Sequence, residues 1–392
     1  MRFISRVVLL QIYFQSIGQS KEEIAWIKKH TNEISTDLND FRDLAFLDSL
    51  VENKRIVMLG ENSHGTAEYF KLKNRLIQYL HNELNFNVLA WESNLLDCYS
   101  VNENKRNLTP EEMVNGSLHF VYRTDQVLPI METVKNNNLT LVGFDAQPTV
   151  YSDATANYIS SINCLGEKTR NQFHQLDSIA QTPTKMNKKN KIRKAHAKRY
   201  AELLIQSEET DCTNKLKTIL KLGIEDRIYF LLNRNKGRDE RMANNLMWLL
   251  NVKYPNEKFI IYAHNAHNDP ANQKNKYANF KTMAEFLPNS IIKQTYNIGI
   301  FGYSGTARNN VRGIYEFKVH PELSLENYLH KSGYRITFLD IENQMKSESN
   351  FYLFNEINTM YWGNINNPKI LSEHYDGVIL VNDISPSTKL KY

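Results

Sequence analysis

The chain predicts an α/β fold: a mostly parallel central sheet flanked by helices, with a helical insertion or cap beside an active-site cleft. Three observations predict it. Short apolar runs alternate with segments of helical periodicity, as strand–helix units require. Several of those runs end in ionisable residues, where an open parallel sheet presents its ligand-binding groups. Between them, from about 150 to 235, strand signals vanish and Lys and Gln become common. At 392 residues, with 41% hydrophobic and 23% charged side chains, the composition is that of a globular protein with ample core. A net charge of +5 is small for this length and does not point to nucleic acid.

The elements follow in order. Arg2 and Arg6 precede the apolar run Val7–Phe14, and Ser16-Ile17-Gly18 supplies small residues two apart. That pattern predicts a secretory signal peptide over 1–19 and an exported chain, periplasmic or secreted. The apolar run is too short to span a bilayer comfortably, so no stable membrane insertion is expected after its removal. Cys98, Cys164 and Cys212 are odd in number and lack a Cys-x-x-Cys spacing. Neither a disulfide scaffold nor a structural zinc site is indicated. Free buried thiols are expected, with Cys164–Cys212 as the first pairing should one bridge form.

Residues 20–149 read as a first α/β part. Glu22–Ser35 reads as a helix and Phe41–Leu50 as a second amphipathic segment. Ile56–Leu59 is a short strand, and Gly60 and Gly65 then bracket Glu61 and His64 on one tight turn. The glycines are expected there for their backbone freedom. Thr66–Leu84 carries a helical stripe of Phe70, Leu76, Ile77, Leu80 and Leu84. Asn87–Glu92 reads as a strand, 94–120 as short helices and loops, Val127–Asn136 as a helix and Thr140–Asp145 as a third strand. In the insertion, the basic run Lys185–Arg199 reads as a solvated helix face or loop. Residues 236–392 form a second α/β part. A long helix over Arg227–Leu250 leads into it, the strand Lys258–His264 follows, and later strands are expected at Thr295–Tyr303, Arg335–Leu339 and Gly377–Asn382.

Four predicted strands thus end in Glu61 with His64, Glu92, Asp145, and His264 with His267. In one parallel sheet these groups meet along a single edge. There is no Gly-x-Ser-x-Gly elbow and no Gly-x-x-x-x-Gly-Lys-Ser/Thr loop, which sets aside the usual serine hydrolase and P-loop readings. Ser63, adjacent to His64 on the turn, is not read as a nucleophile. What remains is water activated by an imidazole whose tautomer a carboxylate holds, with neighbouring histidines donating to the oxyanion. His-x-x-His with Glu61 and Glu92 also has the donor types of a metal site. A metal-dependent hydrolase on another ester or amide, or a non-catalytic haem- or metal-binding protein, therefore stays open.

These residues carry a resemblance to the erythromycin esterase family. The matching segments are Gly60-Glu61-Asn62-Ser63-His64-Gly65-Thr66, Trp91-Glu92, Gly143-Phe144-Asp145, Arg238-Asp239, Ala263-His264-Asn265-Ala266-His267 and Tyr375-Asp376-Gly377. The resemblance implies hydrolysis of a macrolide lactone or related carboxylic ester, without a required metal or other cofactor. It implies His64 as general base, with Glu61 and Glu92 positioning it or the water and His264 in the same catalytic pocket. His267, Lys73, Arg75, Asp145 and Arg238 are then expected to bind substrate. The family commonly carries Arg-x-Arg on the helix after His64. Here the first position is Lys73, which lacks the planar two-pronged donor of an arginine.

Overall fold

In the computed structural model, six strands among the described residues lie side by side and run parallel. They span, in chain order, Ile56–Leu59 (β2), Val88–Asn94 (β3), Thr140–Asp145 (β4), Phe259–Tyr262 (β5), Thr295–Arg308 (β6) and Gly377–Ile384 (β11). Two antiparallel strands, β8 (Ile336–Asp340) and β1 (Thr31–Glu33), extend the β11 edge, and β7 (Ile314–Glu316) pairs with the far end of β6. The structure describes residues 20–390 apart from 38–39, 181–189, 235, 275–279, 312 and 319. The expected signal peptide over 1–19 and the first part of the basic run at Lys185 lie outside the described residues.

Successive side chains of a strand face opposite sides, and here both sides are covered. Ile56, Met58, Val88, Ala90, Phe259 and Ile261 enter one apolar cluster, shared with Met242, Ala243 and Leu246 of the helix Arg238–Trp248. Val57, Leu59, Leu89, Trp91, Ile260 and Tyr262 enter the other, with Phe70, Leu76, Ile77 and Leu80 of the helix Ala67–Asn82. Two-sided burial is why these strands read as unbroken apolar runs rather than alternating ones.

Between the first and second sheet halves lie the helices Ala154–Ser160, Glu167–Ala180, Asn190–Glu208 and Asn214–Asn233, with no strand among the described residues. Their apolar faces gather on Leu95, Leu96 and Tyr99, beside the sheet. Arg227, fully buried among them, binds Asp97 at 2.8 Å and Asp177 at 2.6 Å and so ties the insertion to the helix after β3. No helix among the described residues is long and apolar enough to cross a membrane.

Several expectations need correction. Cys164 and Cys212 are joined as a disulfide rather than free, and Cys98 alone stays a buried thiol. The first helix stops at His30, and Thr31–Glu33 leaves it as β1, pairing with β8. The expected helix over Arg227–Leu250 is two. Arg234 and Gly237 take positive φ angles of 53° and 71°, and a new helix starts at Arg238. The expectation of backbone freedom at Gly60 and Gly65 is also replaced, since neither has a positive φ. A Cβ on Gly60 would lie 1.9 Å from Asn265 Oδ1, and one on Gly65 would lie 2.3 Å from the Arg308 carbonyl oxygen. Close approach is what excludes a side chain there.

Candidate active site

Strands β2, β5, β3 and β4 are consecutive neighbours in the sheet, so their carboxyl ends bring Glu61 with His64, His264 with His267, Glu92 and Asp145 into one row. The turn after β2 is held by backbone bonds on two sides. Gly60 and Asn62 donate to Ile298 and Ile300 of β6, and Asn265 donates to Glu61. The carbonyl of Gly65 accepts from both Arg308 and Ser387, and Ala67 donates to Ser385. Residues 385–390 continue along the same flank, where Asp125 donates to Thr388 and Leu390 to Arg123.

His64 is bonded through Nδ1 to Glu61 Oε1 at 2.8 Å. A carboxylate accepts only, so Nδ1 carries the proton and the Nε2 lone pair of the neutral ring is left for a proton from elsewhere. The other oxygen of Glu61 accepts from Lys73 Nζ at 2.9 Å. Lys73 is fully buried, with its ammonium 3.6 Å from the centre of the Tyr262 ring. Burial lowers this lysine to about 8, although the attraction of Glu61 opposes the shift. Lys73, expected to bind substrate, instead grips the acid behind the imidazole. Arg75, two residues on, faces away from the site. It binds Asp43 at 2.7 Å and the carbonyls of Ser35 and Asp40. Residues i and i+2 of a helix point in different directions, which is why the two basic residues part.

His264 lies 4.9 Å from His64, centroid to centroid. It caps the short helix Asn265–Asn268, and its Nδ1 accepts the Ala266 N–H at 3.1 Å. That bond assigns the proton to Nε2, which approaches the Asn62 carbonyl without making a hydrogen bond. Burial, with His64 close by, pushes His264 well below the usual histidine value, so it is a neutral donor. His267, one helical turn on, is the opposite case. Its Nδ1 meets Asp239 at 2.6 Å and its Nε2 meets Glu92 at 3.2 Å. Burial alone would lower it, but Glu92 and Asp239 outweigh burial and raise it to about 10.

Glu92 sits where the β3–β4 register shifts, between Trp91 and Asn94, and an irregularity of that kind re-aims a side chain. Four donors fill its two oxygens. Arg238 Nη2 at 3.0 Å and His267 reach Oε1, while the His264 backbone N–H at 2.9 Å and the Tyr122 hydroxyl at 3.2 Å reach Oε2. Burial opposes its charge, but His267, Arg238 and His64 prevail and hold the carboxyl well below its usual range. Glu92 therefore fixes the His264 backbone rather than bonding the His64 ring. Asp145 has no exposed surface. It lies behind Arg238, accepting from that guanidinium at 2.6 Å and pairing with His119 Nε2 at 2.9 Å.

The row of groups is roofed by a hairpin, β9 (Met360–Tyr361) and β10 (Ile365–Asn366). Its tip residues Trp362 and Gly363 have φ angles of 55° and 64°. The Trp362 indole stacks on His264 at 4.7 Å and meets His64 edge-on at 5.3 Å. His64 keeps 9% of its surface and His264 2%. A crevice of about 10 Å³ reaches His64 between Gly65, Thr124 and Ser387. A larger cavity, about 220 Å³, opens beyond Tyr361 and starts at Asn265 and Ala266. Among the described residues, no group of three or more His, Cys, Asp and Glu is arranged to hold a metal ion.

Sequence reasoning missed Tyr122, His119 and Trp362, which come from loops with no periodicity to read. Asp239, next to Arg238 in the matching segment, has no role that the sequence alone assigns. Its place three residues before the helical Met242 was the one available signal.

A sequence model described as "Erythromycin esterase" matches residues 81–384, a span that begins after the Glu61–His64 turn. The Bacillus subtilis (strain 168) protein "Putative hydrolase YbfO" is 29% identical, over 93% of this chain and 92% of its own. "Erythromycin esterase type II" of Escherichia coli is 22% identical, over 71% and 77%. Among solved structures, a mutant of the erythromycin esterase EreC in its open conformation superposes with a TM-score of 0.68 at 18% identity, covering 92% of this chain and 100% of that one. A succinoglycan biosynthesis protein superposes with a TM-score of 0.76 at 19% identity, covering 94% and 98%. At such identities the structures share a fold, and no more is taken from them. The sequence match spans well over half of the chain, and on that ground the chain belongs to the erythromycin esterase family and is a hydrolase.

Proposed function

We propose that the chain opens a carboxylic ester, a macrolide lactone or a related ester, by attack of a water molecule that His64 deprotonates. The observation that carries this reading is the pairing of two differently prepared imidazoles 4.9 Å apart. His64 has its Nδ1 tied to Glu61 and its Nε2 lone pair free to take a proton. His264 is neutral and holds an unbonded Nε2–H, a donor for the oxygen that becomes negative as water adds to the ester carbonyl. The crevice beside His64 has room for about one water. Lys73 holds Glu61 in place, and Glu92 keeps His264 in place through its backbone N–H. Collapse of the tetrahedral adduct releases the alcohol, which takes the proton that His64 accepted.

No step in this reading requires a cofactor. Export is part of the proposal as well: the Cys164–Cys212 bridge is of the kind that persists in oxidising compartments. The experiment is incubation of the protein with macrolides and simple esters, following gain of one water by mass. His64→Ala is expected to reduce turnover by about 10²–10⁴-fold while thermal unfolding stays close to that of the parent. A folded His64→Ala protein with unchanged turnover removes the general base.

A further inference from the structure

The cavity beyond Tyr361 is not used by the chemistry above. It begins at Asn265 and Ala266, the two residues that follow His264, and Tyr361 and Ile365 of the hairpin form one wall. Met360 and Tyr361 on its wall directly precede Trp362, the residue stacked on His264. Its volume of about 220 Å³ falls under the ~300–1,000 Å³ of drug-sized ligand sites, so it suits a piece of a substrate rather than a whole macrocycle.

The lining has a definite chemistry. Aromatic faces come from Phe301, Tyr361 and Tyr375, and amides from Asn272, Asn366 and Asn367. An amide both donates and accepts, as a hydroxyl does, and ring faces cover the C–H faces of a saturated ring. Asn272 donates to the Phe280 carbonyl, which fixes its side chain and leaves its Oδ1 without a bond. Asn366 lies exposed at the mouth with its amide unbonded.

Among the described residues lining the cavity, Lys369 is the one that is charged, and its charge is already matched. Its Nζ donates to Asp269, a fully buried acid that also takes His374 Nδ1 at 2.6 Å. An ammonium has three N–H groups, so Lys369 retains donor capacity toward a ligand oxygen. It does so in a site whose charge is balanced beneath its surface. An anion would gain no unmatched cation there, and a purely apolar group would leave the Asn272 Oδ1 and the Asn366 amide without partners.

We propose that this cavity is a subsite for a neutral polyhydroxylated unit, a glycosyl or similar polyol group, borne by the ester substrate. It rests on the hydrolase reading for the word substrate, but not for the binding itself. The test uses the full chain and ligand-observed NMR with methyl β-glucopyranoside, glucuronate and methylcyclohexane-methanol as probes. The glucoside is expected to bind in preference to the other two. Asn366→Leu and Asn272→Leu should each weaken it about tenfold, the worth of one lost hydrogen bond. Wild-type protein should also hydrolyse an acetylated methyl glucoside with a higher kcat/KM than ethyl acetate. Glucoside binding that both variants leave untouched, stronger binding of glucuronate or of the cyclohexyl alcohol, or no preference for the sugar ester overturns the subsite. The two readings separate cleanly. Glucoside binding without turnover of any ester removes the hydrolytic chemistry and keeps the polyol site, and ester turnover without glucoside binding does the reverse.

Discussion

His264 and His267 stand three residues apart on one turn, yet the fold drives them in opposite directions. The ring of His264 accepts a backbone N–H at Nδ1 and makes no hydrogen bond at Nε2, and burial keeps it neutral. The ring of His267 meets a carboxylate on each nitrogen and is held as an imidazolium up to about 10. The His-x-x-His spacing that suggested two like ligands conceals one hydrogen-bond donor poised beside His64 and one cation built into the scaffold. The neighbours within reach, not the residue type, set the charge.

The strongest way to break the comparison is at His264. His264→Ala removes the unbonded donor, and turnover is expected to fall about 10²–10³-fold, as when one oxyanion-hole donor is deleted. Assay of an ester the parent cleaves, with thermal unfolding alongside, checks it, and a folded variant of near-parental turnover sinks the role. Next comes Glu92→Gln, which keeps the shape but removes the charge shared by both halves. Losing one charge-assisted contact is expected to lower turnover about 10–10²-fold and to bring His267 down from about 10, read by NMR titration of the imidazole.

The gentlest probe is pH. His267 is raised in the folded state, so the stability it contributes is whole below the unfolded histidine value of about 6.5 and is lost as pH rises through about 10. His264 is depressed, so the unfolded chain takes the proton first and stability falls as pH drops below about 6.5. Asp239→Asn is expected to flatten the alkaline decline relative to the parent and leave the acid limb unchanged. Denaturant unfolding at a series of pH values measures both limbs, and an unaltered alkaline limb would show that Asp239 does not hold the charge of His267.

Much of the fold was legible because buried parallel strands have a simple signature. The apolar runs at Ile56–Leu59, Thr140–Asp145 and Phe259–Tyr262 are strands, and their polar ends do meet. Direction within the site was not legible. Lys73 and Arg75 look alike in sequence, but one turns to Glu61 and the other to Asp43, since that depends on how the helix is rolled against the sheet. Asp145 ends a strand as read, yet Arg238 stands in front of it, because a helix break at 234–237 delivers a guanidinium to the sheet edge. Tyr122 and Trp362 reach His64 only through the packing of loops distant in sequence.

The flank formed by residues 385–390 has a consequence for how the protein comes into being. The turn bearing His64 is made first, and its Gly65 carbonyl and the start of its helix are completed by Ser387 and Ser385, made long afterwards. A growing chain therefore carries the imidazole without the edge that frames it. A polypeptide cut short before this segment would keep most of its sheet while lacking the edge that completes the His64 turn.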